Sequence, residues 1–325
     1  MAQDARVCSL LGVLAVGCVA STEDERKRGE FPCAPEARAG HQRVSCPEGV
    51  VIDVEVSDGC AIEGCGVILD VHGMLMDANE EDADTRMRAL APPLGYIVVQ
   101  PTAPRSPVLR SWGLTAHHDD VVWDFLQATM TTFAVDLDRV HMMGFSQGAM
   151  MTYRMIAEHP ETFASVAPIS GTYSYEGPLV SAQEIPILHV HGHYDLVYPF
   201  AHATAQRDEI LGAWPFGPGE TIVRTENYRA TRWVTSSGTP FELWEHWLAA
   251  YPPYIGHCLP GPHAQRGRLR CACPSDPGTF PSSDPDTMPP SDLSRIFPCP
   301  ETSDASFDSS LEALRFFAEH PRRAR

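Results

Sequence analysis

DLDRVHMMGFSQGAMMTYRMIAEHP, residues 136–160, is the stretch whose reading decides the fold. Residues 139–144 read as a short buried strand, GFSQG as a tight turn, and 149–159 as a helix stopped by Pro160. Gly144, Ser146 and Gly148 satisfy G-x-S-x-G, a pattern whose glycines answer to crowding. A nucleophile at the apex of a sharp strand-to-helix turn leaves no room for side chains two residues before or after it. Ser146 is the candidate nucleophile, and the backbone N–H of Gln147 in the first helical turn is a candidate oxyanion donor. The competing reading is a Gly-rich turn whose serine caps the helix.

Outward from this stretch, the alternation of strands and helical segments predicts a mostly parallel sheet. Residues 50–56 alternate and read as an antiparallel edge strand, whereas 66–71 (GVILDV) form a continuous apolar run buried on both faces and end in His72-Gly73-Met74. A polar, acidic stretch at 77–88 leads into helix-like residues, followed by a second buried strand at 96–100. Residues 119–133 read as a helix feeding the nucleophile strand, with Val121, Val122, Phe125, Leu126 and Met130 on one face. Further buried strands fall at 164–169 and 185–191, a hairpin turns around Gly238, and an amphipathic helix at 309–319 closes the chain. Met150, Met151 and Met155 are core residues behind the nucleophile.

In such a sheet reactive groups gather at the carboxyl ends of the strands. Asp195, just past the strand ending at His191, is the candidate acid. For the base, His246 lies within a strand pattern and His320 ends the last helix. His263 sits further along, and His257 lies on a loop just after the last strand, which makes it the first choice. The order Ser146, Asp195, His257 is that of α/β-hydrolases. His191 and His193 have the spacing of a metal pair, but strand-end histidines more often bond nearby backbone. No metal and no cofactor is expected.

Composition sets the bounds. A chain of 325 residues with 43% hydrophobic content is long enough for one large core. The formal charge of −18, with no basic block, argues against nucleic acid and anionic membrane surfaces as partners. Residues 7–17 form an apolar run too short to span a bilayer and read as the core of an export signal at 1–18. Cys18 follows small residues and is a lipidation candidate of the bacterial lipoprotein type, implying a secreted or membrane-anchored, periplasmic protein. Residues 19–43 read as a tether and extension, and 44–325 as one catalytic domain with a Cys/Pro-rich excursion at about 262–303. Outside the leader, Cys33, Cys46, Cys60, Cys65, Cys258, Cys271, Cys273 and Cys299 are an even set grouped towards the two ends of the chain, which points to disulfide-stapled loops of open connectivity.

HG at 72–73, the nucleophile stretch, HGHYDLVYP at 191–199 and GHCLPG at 256–261 together resemble the exported esterase family of polyhydroxybutyrate depolymerases and feruloyl and acetylxylan esterases. The resemblance covers roughly residues 44–265 and 304–320. It implies an α/β-hydrolase fold with Ser146 as nucleophile, His257 as base and Asp195 as its orienting acid. The Met74 amide is assigned as second oxyanion donor, with His72 and Trp112 in the substrate pocket; an exposed loop tryptophan is the other reading of Trp112. Met74 and Leu75 stand where the family often carries glycine or cysteine. The chain shows no attached substrate-binding module, which favours soluble oligomers or side-chain esters over crystalline polyester. The function expected is an exported serine esterase. The alternatives are an exported serine peptidase and a non-catalytic lipoprotein that binds polymer or glycan on the same scaffold.

Overall fold

The computed structural model describes residues 31–61, 64–105, 109–113, 118–173, 183–248, 256–261 and 307–322. The leader with Cys18, residues 19–30 of the tether and extension, and the Cys/Pro-rich segment with His263, Cys271, Cys273 and Cys299 lie outside them. The described strands are β1 (Gly40–Ser45), β2 (Val51–Val56), β3 (Gly66–Val71), β4 (Tyr96–Thr102), β5 (Val140–Phe145), β6 (Ser165–Ile169), β7 (Ile187–Gly192), β8 (Glu220–Arg224), β9 (Tyr228–Val234) and β10 (Pro240–His246). They form one sheet in the order β1-β2-β4-β3-β5-β6-β7-β10-β9-β8. The run from β4 to β10 is parallel, and antiparallel pairs flank it on both sides. Every residue of the six parallel strands is buried, as expected where helices cover both faces.

The helices are α1 (Ala78–Thr85), α2 (Met87–Leu90), α3 (Asp119–Thr132), α4 (Gln147–Glu158), α5 (Phe200–Ala213) and α6 (Ser309–Glu319). Alternate strand residues divide the core between two layers. Val67, Leu69, Val71 and Met142 pack with Phe125 of α3, Met151 and Ile156 of α4 and Ile210 of α5. Ile68, Met143, Phe145 and Val190 pack with Met87 of α2 and with Leu314, Phe316 and Phe317 of α6. This is the α/β-hydrolase fold.

Two expectations change, and one helix goes unread in the sequence. β2 is not the edge strand, because β1 pairs along its whole length; β1 buries only Gln42 among its residues, so its sequence shows no apolar alternation. The first strand of the hairpin around Gly238 is β9, which begins well upstream at Tyr228 and carries Arg229 and Arg232, so its start is not marked by an apolar run. α5 buries only Ala203, Gln206 and Ile210 among its residues, too few to mark a helical stripe in the sequence. The staples expected near the amino-terminal end are Cys33–Cys46 and Cys60–Cys65, and Cys258 is also disulfide-bonded.

Under α1 lies a buried carboxyl pair. Asp70 of β3 accepts from Thr85 Oγ1 at 2.8 Å and from Gln100 Nε2 at 2.7 Å, and Glu81 of α1 is fully buried beside it. Burial pushes Asp70 from 3.8 up to about 6, and burial with the Asp70 charge pushes Glu81 well above the usual range. A carboxyl raised in the folded state holds its proton more tightly there than in the unfolded chain. Its contribution is therefore full below 3.8 and is lost as pH rises through about 6. Urea unfolding is expected to show the parent losing stability between pH 4 and pH 7. Asp70→Asn should remove on the order of 3 kcal/mol of that loss. Parallel pH profiles for parent and variant would contradict the assignment.

Candidate active site

The turn from β5 into α4 places Ser146 in a strained conformation, φ 53° and ψ −112°. Its surroundings admit no side chains at the flanking glycines. A methyl on Gly144 would stand 2.5 Å from the carbonyl carbon of Gly148, and one on Gly148 would stand 1.8 Å from the carbonyl oxygen of Val71. Gly171, after β6, closes the other side, where a methyl would lie 2.3 Å from the Ser146 carbonyl oxygen. Ser146 N–H donates to the Ile169 carbonyl at 2.8 Å, so the hydroxyl is the group left facing outward.

Asp195 and His257 arrive from the ends of β7 and β10. Asp195 Oδ1 accepts from the backbone N–H groups of Val197 (3.0 Å) and Tyr198 (2.6 Å), which leaves Oδ2 for His257 Nδ1 at 2.8 Å. His257 Nε2 lies 3.0 Å from Ser146 Oγ. With Asp195 ionised, Nδ1–H donates to the carboxylate and Nε2 accepts from the serine hydroxyl. His257 and Asp195 are almost fully buried, and Ser146 is partly exposed. Gly256, at φ 77°, lets the histidine loop lie directly on the acid turn; a methyl there would come within 2.3 Å of the Tyr194 carbonyl carbon. The far end of this loop is tied to α6, where Ser309 N–H and Oγ both donate to the Pro260 carbonyl.

The two residues expected to supply oxyanion donors, Gln147 and Met74, come from separate segments. Gln147 N–H opens α4, and Met74 N–H sits in the turn after β3; among the described residues no backbone hydrogen bond engages either amide. The turn is held by Leu75 at φ 73°, whose N–H donates to Arg110. His72 Nδ1–H donates to Gly73 at 2.6 Å, and its Nε2 accepts from Ala103 N–H at 3.0 Å. Burial pushes His72 down to about 4, so it is neutral at pH 7. Trp112 Nε1–H donates to the His72 carbonyl at 3.0 Å.

His72 and Trp112 are both fully buried, so Trp112 is not an exposed loop tryptophan. Each braces the Met74 turn from behind. His191 and His193 are engaged separately, His191 with His189 and the Tyr198 carbonyl, His193 with Glu245 and stacked between Phe200 and Trp247. Sequence reasoning missed the side chain of Gln147, whose Oε1 accepts from Ser111 Oγ at 3.0 Å and Trp112 N–H at 3.1 Å. Ser111 adjoins Trp112 in the sequence, but neighbours alone do not reveal a partner on α4.

A family model described as phospholipase/carboxylesterase matches residues 115–219. A bifunctional acetylxylan esterase/xylanase of Neocallimastix patriciarum is 30% identical over 130 residues, which span 40% of this chain and 19% of that protein. Feruloyl esterase B of Neurospora crassa is 30% identical over 114 residues, 32% of this chain and 38% of that protein. The chain thus spans less than half the length of these two relatives. The acetyl xylan esterase from Aspergillus awamori shares the fold, with a TM-score of 0.53 and 18% identity over 64% of this chain and 93% of that one. The resemblance read from the motifs therefore holds for acetylxylan and feruloyl esterases.

The contact at Gly148 makes a sharp test of the turn. Gly148→Ala is expected to yield no soluble native protein, or a protein destabilised by about 3 kcal/mol or more, because both the helix and β3 would have to shift. Thermal melting of the purified variant checks this, and a parent-like melting temperature would show that the approach is looser than described.

Proposed function

We propose that this chain is an exported serine esterase that hydrolyses carboxylic esters through an acyl-enzyme on Ser146. The single observation that carries the reading is the continuous line from Ser146 Oγ through His257 to Asp195, at 3.0 and 2.8 Å. His257 Nε2 takes the hydroxyl proton as Ser146 attacks the ester carbonyl, and Asp195 stabilises the imidazolium that forms. The Gln147 and Met74 amides receive the charge on the carbonyl oxygen. The imidazolium then protonates the departing alcohol, and water, deprotonated by His257, releases the acid and regenerates Ser146.

Acetyl or feruloyl esters borne on plant polysaccharide are the substrates that the relatives support, with soluble polyester oligomers as a further class from the motif resemblance. Export is supported by the apolar leader and by the Cys33–Cys46 and Cys60–Cys65 bonds, since such bonds persist in oxidising compartments. Among the described residues no helix is long and apolar enough to cross a membrane, and anchoring through Cys18 is the corresponding proposal for attachment.

A fluorophosphonate should form one adduct, mapped by mass spectrometry to Ser146 and lost in His257→Ala. On a panel of acetyl, feruloyl and 3-hydroxyacyl esters with matched amides, Asp195→Asn should lower kcat by roughly 10⁴ while the protein stays folded. Folded parent protein that takes up no label would sink the esterase reading, and faster turnover of amides would move it to a peptidase.

A further inference from the structure

Behind the acid lies a line of buried polar side chains that the reaction just described does not use. Tyr153 of α4 places its hydroxyl 2.6 Å from His189 Nδ1. His189 Nε2 lies 3.3 Å from His191 Nδ1, and His191 Nε2 lies 2.7 Å from the Tyr198 carbonyl oxygen and 3.5 Å from Asp195 Oδ2. All three side chains are fully buried. The Tyr198 carbonyl can only accept, so the proton on His191 sits at Nε2 and its Nδ1 is an acceptor. His189 must then donate from Nε2 and accept at Nδ1 from the tyrosine hydroxyl. Every bond in the line runs the same way, and its positive end faces the Asp195 carboxylate.

A core that needed only packing would fill these positions with apolar side chains, as the neighbouring Leu188 and Val190 do. Burial of three polar groups is tolerable because each is satisfied. The line also joins elements that must keep register: Tyr153 is on the helix that begins at the nucleophile, and His189 and His191 are on the strand that ends at the acid. Tyr198, where the line ends, donates its own N–H to Asp195 Oδ1 at 2.6 Å.

We propose that Tyr153, His189 and His191 are positioning residues, a one-way hydrogen-bond chain that holds the Asp195 carboxylate in register with His257 and moderates the basicity of that imidazole. The inference rests on the roles proposed for Ser146, Asp195 and His257. Burial supports it by pushing His191 down to about 4 and His189 well below its usual value, so both are neutral at pH 7, and by keeping the Tyr153 phenol protonated. The titratable groups facing His191 are His189 on its own strand, Asp195 on the following turn, His202 of α5, His246 of β10 and His257 on the histidine loop. Glu209 of α5 faces Tyr153. Because the His191 N–H lies beside Asp195 Oδ2, it draws off negative charge that would otherwise stabilise the His257 imidazolium. Removing the chain should therefore raise the pKa of His257 while loosening its placement.

The test is NMR titration of the His257 ring in the full chain, with His257→Ala to assign the resonance. His191→Leu should raise the His257 midpoint by about half a unit or more, and Tyr153→Phe by less in the same direction. His191→Gln keeps a donor near the Tyr198 carbonyl and should return the midpoint close to the parent value. In turnover, His191→Leu should lower kcat about three- to tenfold with KM little changed. A lower melting temperature with an unmoved His257 midpoint would overturn the proposal and leave these residues as satisfied core polar groups. If His191→Leu does not fold, Tyr153→Phe decides in the same way. A parent that shows these shifts but hydrolyses no ester would sink the esterase reading and leave the chain's effect on His257 standing.

Discussion

The structure depends most on how closely the backbone at Gly148 approaches the end of β3. Their separation is too small for a single methyl group, with the Val71 carbonyl occupying the space a Cβ would need. The chain leaving Val71 runs straight into the turn that carries Met74, and Gly148 lies one residue past Gln147. One steric contact therefore limits how far the Gln147 turn can move from the Met74 turn. Separate contacts exclude a side chain at Gly144, against the Gly148 carbonyl carbon, and at Gly171, against the Ser146 carbonyl oxygen. Side-chain contacts then refine the same spacing. The Gln147 carboxamide draws the 111–112 segment onto α4, and Trp112 passes that restraint to the His72 carbonyl.

A positive φ at Ser146 costs of order 1–3 kcal/mol and persists only where the surroundings over-determine it. α4 supplies that over-determination. Every residue from Gln147 to Ile156 is buried, and its polar members are tied in three directions. Thr152 bonds back to the Gly148 carbonyl, Tyr153 reaches His189 on β7, and Arg154 makes a two-pronged pair with Asp119 at the start of α3, at 2.5 and 2.9 Å. The Arg154–Asp119 pair is not a source of net stability, because its desolvation roughly offsets its attraction. Its effect is to penalise any sliding of α4 against α3, since a shift would leave a buried charge without its partner.

What was legible in the sequence follows from this division. The parallel strands announce themselves as continuous apolar runs because both their faces are covered, and the elbow is readable because its glycines are forced by contacts within a few residues. The segments that escaped notice share a different property. β1, β8 and α5 lie at the periphery, so their polar residues outnumber the few that pack, and no period emerges. The burial of His72 and Trp112 is not legible in the sequence, because a motif gives proximity but not facing. Which side of a loop a ring occupies is decided by its hydrogen bonds to Ala103, Gly73 and the His72 carbonyl, none of which spacing reveals. Gln147 escaped for a related reason, since its partners lie more than thirty residues away in sequence.

The long segment between Gly261 and Phe307 poses a topological question that its two ends answer. The histidine loop finishes at Gly261, and a methyl on that residue would stand 3.4 Å from Asp308 Oδ1. Asp308 caps α6 by accepting from Ser310 and Leu311 N–H, and it pairs with Arg86 between α1 and α2. Ser309 meanwhile takes hold of the Pro260 carbonyl. The described residues on either side of this segment, Gly261 and Asp308, thus lie at neighbouring points. Closing a longer segment between such points costs little, only about 0.6 kcal/mol for each doubling of its length. An insertion there can consequently vary without disturbing the core. It cannot vary without consequence for His257, because the contacts that seat the far end of its loop are made by the residues where the chain returns.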